Sequence, residues 1–193
     1  MGRRLLRRRR WFGLVAGVTL ALTGIYKYRV ETYHYDVVDP GVLYRTGFRA
    51  PRELATTCRL VQPRTIVALI DEQELEREPF RGEWAFCATR GIRLLPIPIP
   101  VIQRTPSTED VRLFLAVVEA RANQPVAVHC AQGIRRTGMM CAAYHMSVLG
   151  FTRAESRDLV RRYGRDDEGE SIADVLAFIE RYDPQSRTVG PPR

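Results

Sequence analysis

Cys130 and Arg136 stand six positions apart in the stretch HCAQGIRRTG (129–138), pairing a thiol with a planar cation. A thiolate can attack phosphorus, and a guanidinium can clasp two oxygens of a phosphate at once. The spacing alone says little. All but one of the 30 basic residues are arginine, and Cys58–Arg64 and Cys87–Arg93 share the same separation. The surroundings of each cysteine must choose among the three.

An anion is best held between the end of a strand and the start of a helix, where free backbone N–H groups and the positive end of the helix dipole converge. Cys58 leads from a helix towards a strand through Pro63, with no glycine on the way. Cys87 lies late in a helical segment, with Arg93 at the start of the next strand. Cys130 alone follows an apolar strand, PVAVHC, and precedes a helix, TGMMCAAYHMSVLG. Gly133 supplies the backbone freedom that a tight loop needs. Residues Ala131, Gln132, Gly133, Ile134 and Arg135, with the Arg136 side chain, are therefore the expected phosphate cradle. Cys130 is the expected nucleophile, favoured as its thiolate by the converging N–H dipoles. Thr137 is expected to donate a hydrogen bond to the sulfur, and His129 either to brace the loop or to pack at the strand end.

The elements that must carry this loop follow from the pattern around it. YHYDVVDPGVLYRTG reads as two strands about the turn Asp39-Pro40-Gly41, followed by a helix opening at Pro51. RTIVALI is a buried strand, and EQELEREPFRGEWAFCATRG is helical but broken near Pro79 and Gly82, ending at Gly91. IRLLPIPIP is a strand running into a proline-spaced loop, and Ser107 with Asp110 opens a helix as a capping box. Two amphipathic helices follow Gly150. Strands alternating with helices imply an α/β domain with a mostly parallel central sheet flanked by helices. Its expected limits are 30–182, with a mobile tail at 183–193.

The net charge of +8 is confined to the N-terminus. Residues 1–29 hold eight basic residues and no acid, leaving 22 of each sign from position 30 onward. A neutral body argues against a nucleic-acid partner. Residues 1–10 form a basic segment, and the uncharged run Trp11–Tyr26 within 11–29 predicts a single N-terminal membrane-anchor helix or a signal segment. The heavier positive flank predicts a cytoplasmic N-terminus with the catalytic domain on the far side of the membrane, or secretion after signal cleavage. The four cysteines show neither a zinc spacing nor a disulfide framework, so no metal is expected.

HCAQGIRRTG resembles the HCxxGxxR[ST]G signature of the cysteine-dependent protein tyrosine phosphatases, and most resembles the atypical dual-specificity group. PGVLYRTG and RTIVALI resemble the opening hairpin and strand of such domains. The resemblance implies a dual-specificity-phosphatase-like fold and metal-free hydrolysis of a phosphomonoester, on a protein or a small molecule, through a phosphocysteine. It also implies a general-acid aspartate about thirty residues before the cysteine, which lands in PIPIPVIQRTPSTED (96–110), where the expected part carries prolines and isoleucines and Glu109 and Asp110 come only later. Asp71, at the end of the TIVALI strand, is the first candidate for that acid and Asp110 the second. An enzyme without the loop acid is expected to favour good leaving groups, such as aryl phosphates or phosphoanhydrides. Arg135 could add charge for an inositol phosphate or a phospholipid headgroup. The alternatives are a phosphate-binding pseudophosphatase and a sulfur-transfer protein.

Overall fold

The computed structural model describes residues 17–24, 32–100, 102, 105–163 and 170–190. The chain divides into two compact units, Met1–Thr32 and Tyr33–Arg193. In the first, residues 17–24 form helix α1. Among the described residues no helix is long and apolar enough to cross a membrane. This corrects the anchor helix expected over 11–29, and with it the single-pass placement, the far-side orientation and the membrane as a partner. The uncharged run is real; its residues 17–24 are helical, and the rest of 11–29 lies outside the described residues.

The second unit is an α/β sandwich around a five-stranded sheet of order β1-β2-β5-β3-β4. Strands β1 (Asp36–Asp39) and β2 (Leu43–Gly47) form the antiparallel hairpin expected at Asp39-Pro40-Gly41. Strands β3 (Thr65–Ala68), β4 (Arg93–Pro96) and β5 (Val126–Cys130) run parallel to β2. β5 is central, paired on one side with β2 and on the other with β3. All nine residues of β3 and β5 are buried, which is why both read as apolar runs without alternation.

The helices are α2 (Pro51–Val61), α3 (Glu72–Leu75), α4 (Glu83–Ala88), α5 (Thr108–Glu119), α6 (Arg135–Ser147), α7 (Arg153–Tyr163) and α8 (Glu170–Arg181). Pro51 opens α2, where its missing N–H costs nothing. Ser107 Oγ accepts from the Asp110 N–H while Asp110 Oδ2 accepts from the Ser107 N–H, forming the expected capping box of α5. Helix α6 is buried through most of its length, so its sequence lacks a polar stripe. It packs against β5 and α8, with Val175, Phe178 and Ile179 of α8 fully buried. Each such apolar side chain contributes about 1.5–3 kcal/mol by leaving water.

The tail departs from expectation. Tyr182–Asp183 (β6) and Thr188–Val189 (β7) pair as a small hairpin. Arg187 makes a two-point contact with Glu119 of α5 at 2.7 and 2.8 Å, and Val189 packs on the core. The segment is too short to show strand periodicity, and its anchors are supplied by α5.

Candidate active site

β5 delivers Cys130 to the carboxyl edge of the sheet, and residues 131–134 turn directly into α6, which opens at Arg135. Ile134 at the helix N-cap makes no side-chain cap, so the first-turn N–H groups remain for a ligand. The turn is set by Gly133 at φ +75, where a Cβ would lie 2.6 Å from both the Thr46 carbonyl oxygen and the Gly47 nitrogen. Gly47 is its counterpart on β2, since a Cβ there would meet the Gln132 carbonyl oxygen at 2.5 Å. Two backbones touch at this point, and neither can carry a side chain. Gly133→Ala combines left-handed strain with a backbone clash and is expected to cost roughly 3 kcal/mol of stability. Thermal unfolding and aryl phosphate turnover check it, and native behaviour in both would show that the loop tolerates a different path.

Cys130 is 3% exposed, and its Sγ accepts the Gly133 N–H at 3.1 Å. Burial pushes the Cys58 thiol up to about 11 and the Cys87 thiol up to about 12, so both stay protonated at neutral pH. Cys141, on α6, is likewise pushed by burial up to about 11.

Arg136 is held at three corners. Its Nη1 donates to the Leu69 carbonyl at 2.9 Å, to the Ile99 carbonyl at 3.2 Å and to Glu74 Oε2 at 2.6 Å. Its Nη2 donates to Glu74 Oε1 at 3.2 Å. Burial opposes its charge, but the Glu74 hydrogen bond and the negative neighbours Cys130, Glu74 and Asp71 more than offset this and raise the guanidinium above its ordinary value. It is charged at every working pH. The Nε–H and the second Nη2–H are left as an edge matching two phosphate oxygens.

Glu74 was not singled out from sequence. It lies in EQELERE, a run of charges that reads as a solvated helix face, yet α3 turns it onto Arg136. Glu83 was missed for the same reason. Its Oε1 lies 2.7 Å from His129 Nε2, with both side chains fully buried, and the His129 ring meets Phe48 edge-on. His129 is therefore braced by a carboxylate from α4 rather than by backbone.

Asp71 follows β3 at the same edge and caps α3, its Oδ1 accepting the Gln73 N–H at 3.0 Å. Its charge is felt by Arg136. Asp110 is committed to the α5 cap, where Oδ2 takes both the N–H and the hydroxyl of Ser107. The PIPIP segment (96–100), which has no carboxylate, supplies the Ile99 carbonyl to Arg136 instead. Arg135 sits 3.6 Å from Asp174 of α8, which draws it towards the helix layer. Thr137 is fully buried and its Oγ1 has no partner among the described residues, so the expected bond to the sulfur is not made. Among the described residues no cluster of histidine, cysteine and carboxylates could hold a metal ion.

Residues 62–176 match the family model described as "PTP-NADK: DSP-PTPase phosphatase fused to NAD+ Kinase", a match over more than half of the chain. The chain belongs to this dual-specificity phosphatase family. A curated relative, the dual specificity protein phosphatase TpbA of Pseudomonas aeruginosa, is 25% identical over 154 residues, covering 76% of this chain. The chain spans 65% of that relative's length. Among solved structures, the core catalytic domain of the PP-IP phosphatase SIW14 from S. cerevisiae superposes with a TM-score of 0.65 at 23% identity. That match covers 79% of this chain and 87% of the other. P. aeruginosa TpbA in complex with pTyr superposes at 0.61 with 21% identity, over 81% of this chain and 89% of the other. At these identities the two structures speak for the fold.

Proposed function

We propose that this protein is a cysteine-dependent phosphomonoester hydrolase in which Cys130 takes the phosphoryl group and Arg136 binds it. The observation that carries the reading is the pairing of a loop N–H on Cys130 Sγ with an Arg136 fixed by Glu74 and two carbonyls. In the first step Sγ attacks phosphorus, the P–O bond to the leaving group breaks, and the leaving oxygen takes a proton or departs as the anion. In the second, water attacks phosphorus, the P–S bond breaks, and inorganic phosphate leaves as the thiolate returns. Both oxygens of Glu74 accept from the Arg136 guanidinium, so Glu74 is poorly placed to serve the leaving group. Asp71 is the stronger candidate for that role, standing just past β3 at the carboxyl edge of the sheet.

The lack of a carboxylate between Pro96 and Pro100 favours substrates whose leaving groups need little protonation. Two structural neighbours are consistent with this: one is a PP-IP phosphatase, and another was solved in complex with pTyr, an aryl phosphate. The test is metal-free hydrolysis of an aryl phosphate against phosphoserine, with the phosphoenzyme trapped by acid quench. Aryl phosphate is expected to be preferred by about 100-fold or more, the scale of one general acid. Asp71→Asn should flatten the basic limb of the pH–rate profile. A protein that releases no phosphate and traps no phosphocysteine is a binding module instead.

A further inference from the structure

A phosphate loop works only if its N–H groups point inwards, and each trans peptide sets its C=O opposite its N–H. The carbonyls of residues 130–134 must therefore face outwards and find donors there, because a buried carbonyl without a partner is costly. All five are accounted for. The Phe48 N–H is shared between the carbonyls of Cys130 at 3.1 Å and Ala131 at 2.9 Å, and the Gly138 N–H takes that of Ile134 at 2.7 Å. The two at the apex of the loop take side chains. His34 Nδ1 lies 2.7 Å from the Gln132 carbonyl oxygen, and Arg45 Nη2 donates to that of Gly133. A carbonyl only accepts, so His34 carries its proton on Nδ1.

Both residues are out of the ordinary for their places. Arg45 is 2% exposed within β2, in register with Val128 of β5 and Asp36 of β1, and is among the largest fully buried side chains. A buried guanidinium is costly unless it is fully used, and an apolar residue would fill a strand position more cheaply. His34 holds φ +50, a left-handed conformation uncommon for a residue with a side chain, which turns the segment before β1 towards the loop.

We infer that Arg45 and His34 are positioning residues of the phosphate loop: by holding the Gly133 and Gln132 carbonyls outwards, they aim the N–H groups of Ile134 and Gly133 at the phosphate site. The second of these is visible already, since the Gly133 N–H donates to Cys130 Sγ. The inference rests on reading 130–136 as a phosphate loop, and it gives a use to the arginine of PGVLYRTG.

The probe is vanadate, whose affinity is read from protection of Cys130 against iodoacetamide, alongside kcat and KM for an aryl phosphate. His34→Ala and Arg45→Met are each expected to weaken vanadate binding about tenfold and lower kcat about as much with KM little moved, because the loop N–H groups act chiefly on the transition state. His34→Asn keeps a donor and tolerates the left-handed backbone, and Arg45→Lys keeps a buried cationic donor; both should recover most of the loss. Native vanadate affinity in His34→Ala, or a His34→Asn no better than the alanine, overturns the inference. Should Arg45→Met fail to fold, the half-buried His34 pair decides. The two readings fail separately. A native protein that binds vanadate but releases no phosphate sinks the hydrolase and leaves the positioning testable. Native turnover with unmoved vanadate affinity in the variants does the reverse.

Discussion

Cys130→Ser is expected to lower aryl phosphate turnover by about 10⁴-fold or more while leaving the fold and the binding of inorganic phosphate in place. Oxygen replaces sulfur in a site that is 3% exposed, so packing is barely disturbed. The chemistry, however, depends on an anionic nucleophile. The loop N–H groups can favour a thiolate, but a serine hydroxyl lies too far from ionisation for the same dipoles to strip its proton. A general base could rescue it, and the adjacent base is turned elsewhere: His129 Nε2 is engaged by the buried Glu83 carboxylate. The Gly133 N–H on the sulfur is a donor and cannot take a proton. Initial rates in the presence of a chelator, with calorimetry of phosphate binding, separate the two effects. A serine variant within tenfold of the native rate would mean that the phosphoryl group is transferred to something other than Cys130.

What could be read in advance was local. The strand before Cys130, the left-handed Gly133 and the helix behind it are encoded within a dozen residues, because one segment's hydrogen bonds and burial specify them. The hairpin at Asp39-Pro40-Gly41 and the Ser107–Asp110 cap were legible for the same reason. The rest of the site is contributed across the chain: Glu74 and Arg136 are 62 positions apart, His129 and Glu83 46, Arg45 and Gly133 88, and His34 and Gln132 98. No local periodicity separates Glu74 and Glu83, which face inwards, from the other acids of EQELEREPFRGEW. The arginine of LYRTG does signal something, since a strand buried in a sheet leaves a guanidinium little access to water. Its partner, a loop carbonyl, has no side-chain signature. The anchor expected over 11–29 came from an uncharged run, whereas a span also needs helical length, and among the described residues no helix is long and apolar enough to supply it.

Arg136→Lys is expected to reduce kcat/KM by roughly 10²–10³, the scale of losing one preorganised oxyanion donor, although it conserves charge. Arg136 answers two carbonyls and both oxygens of Glu74 and still presents an Nε–Nη2 edge. An ammonium has three hydrogens on one nitrogen and no fork, so it can serve Glu74 or the phosphate but not both in line. Where it sides with Glu74, the phosphate loses its clasp; where it sides with phosphate, a carboxylate is left facing a dianion. Glu74→Gln alone should cost about tenfold, because Arg136 keeps its charge but loses its anchor, within the 0.5–3 kcal/mol coupling typical of contacting residues. In the Arg136→Lys background the same change should restore activity about tenfold, since removing the carboxylate frees the ammonium for phosphate. That reversal of sign is the signature of a residue acting through Arg136. If the two losses simply add, Glu74 contributes to the site independently, and the orientation of Arg136 is set by the Leu69 and Ile99 carbonyls alone.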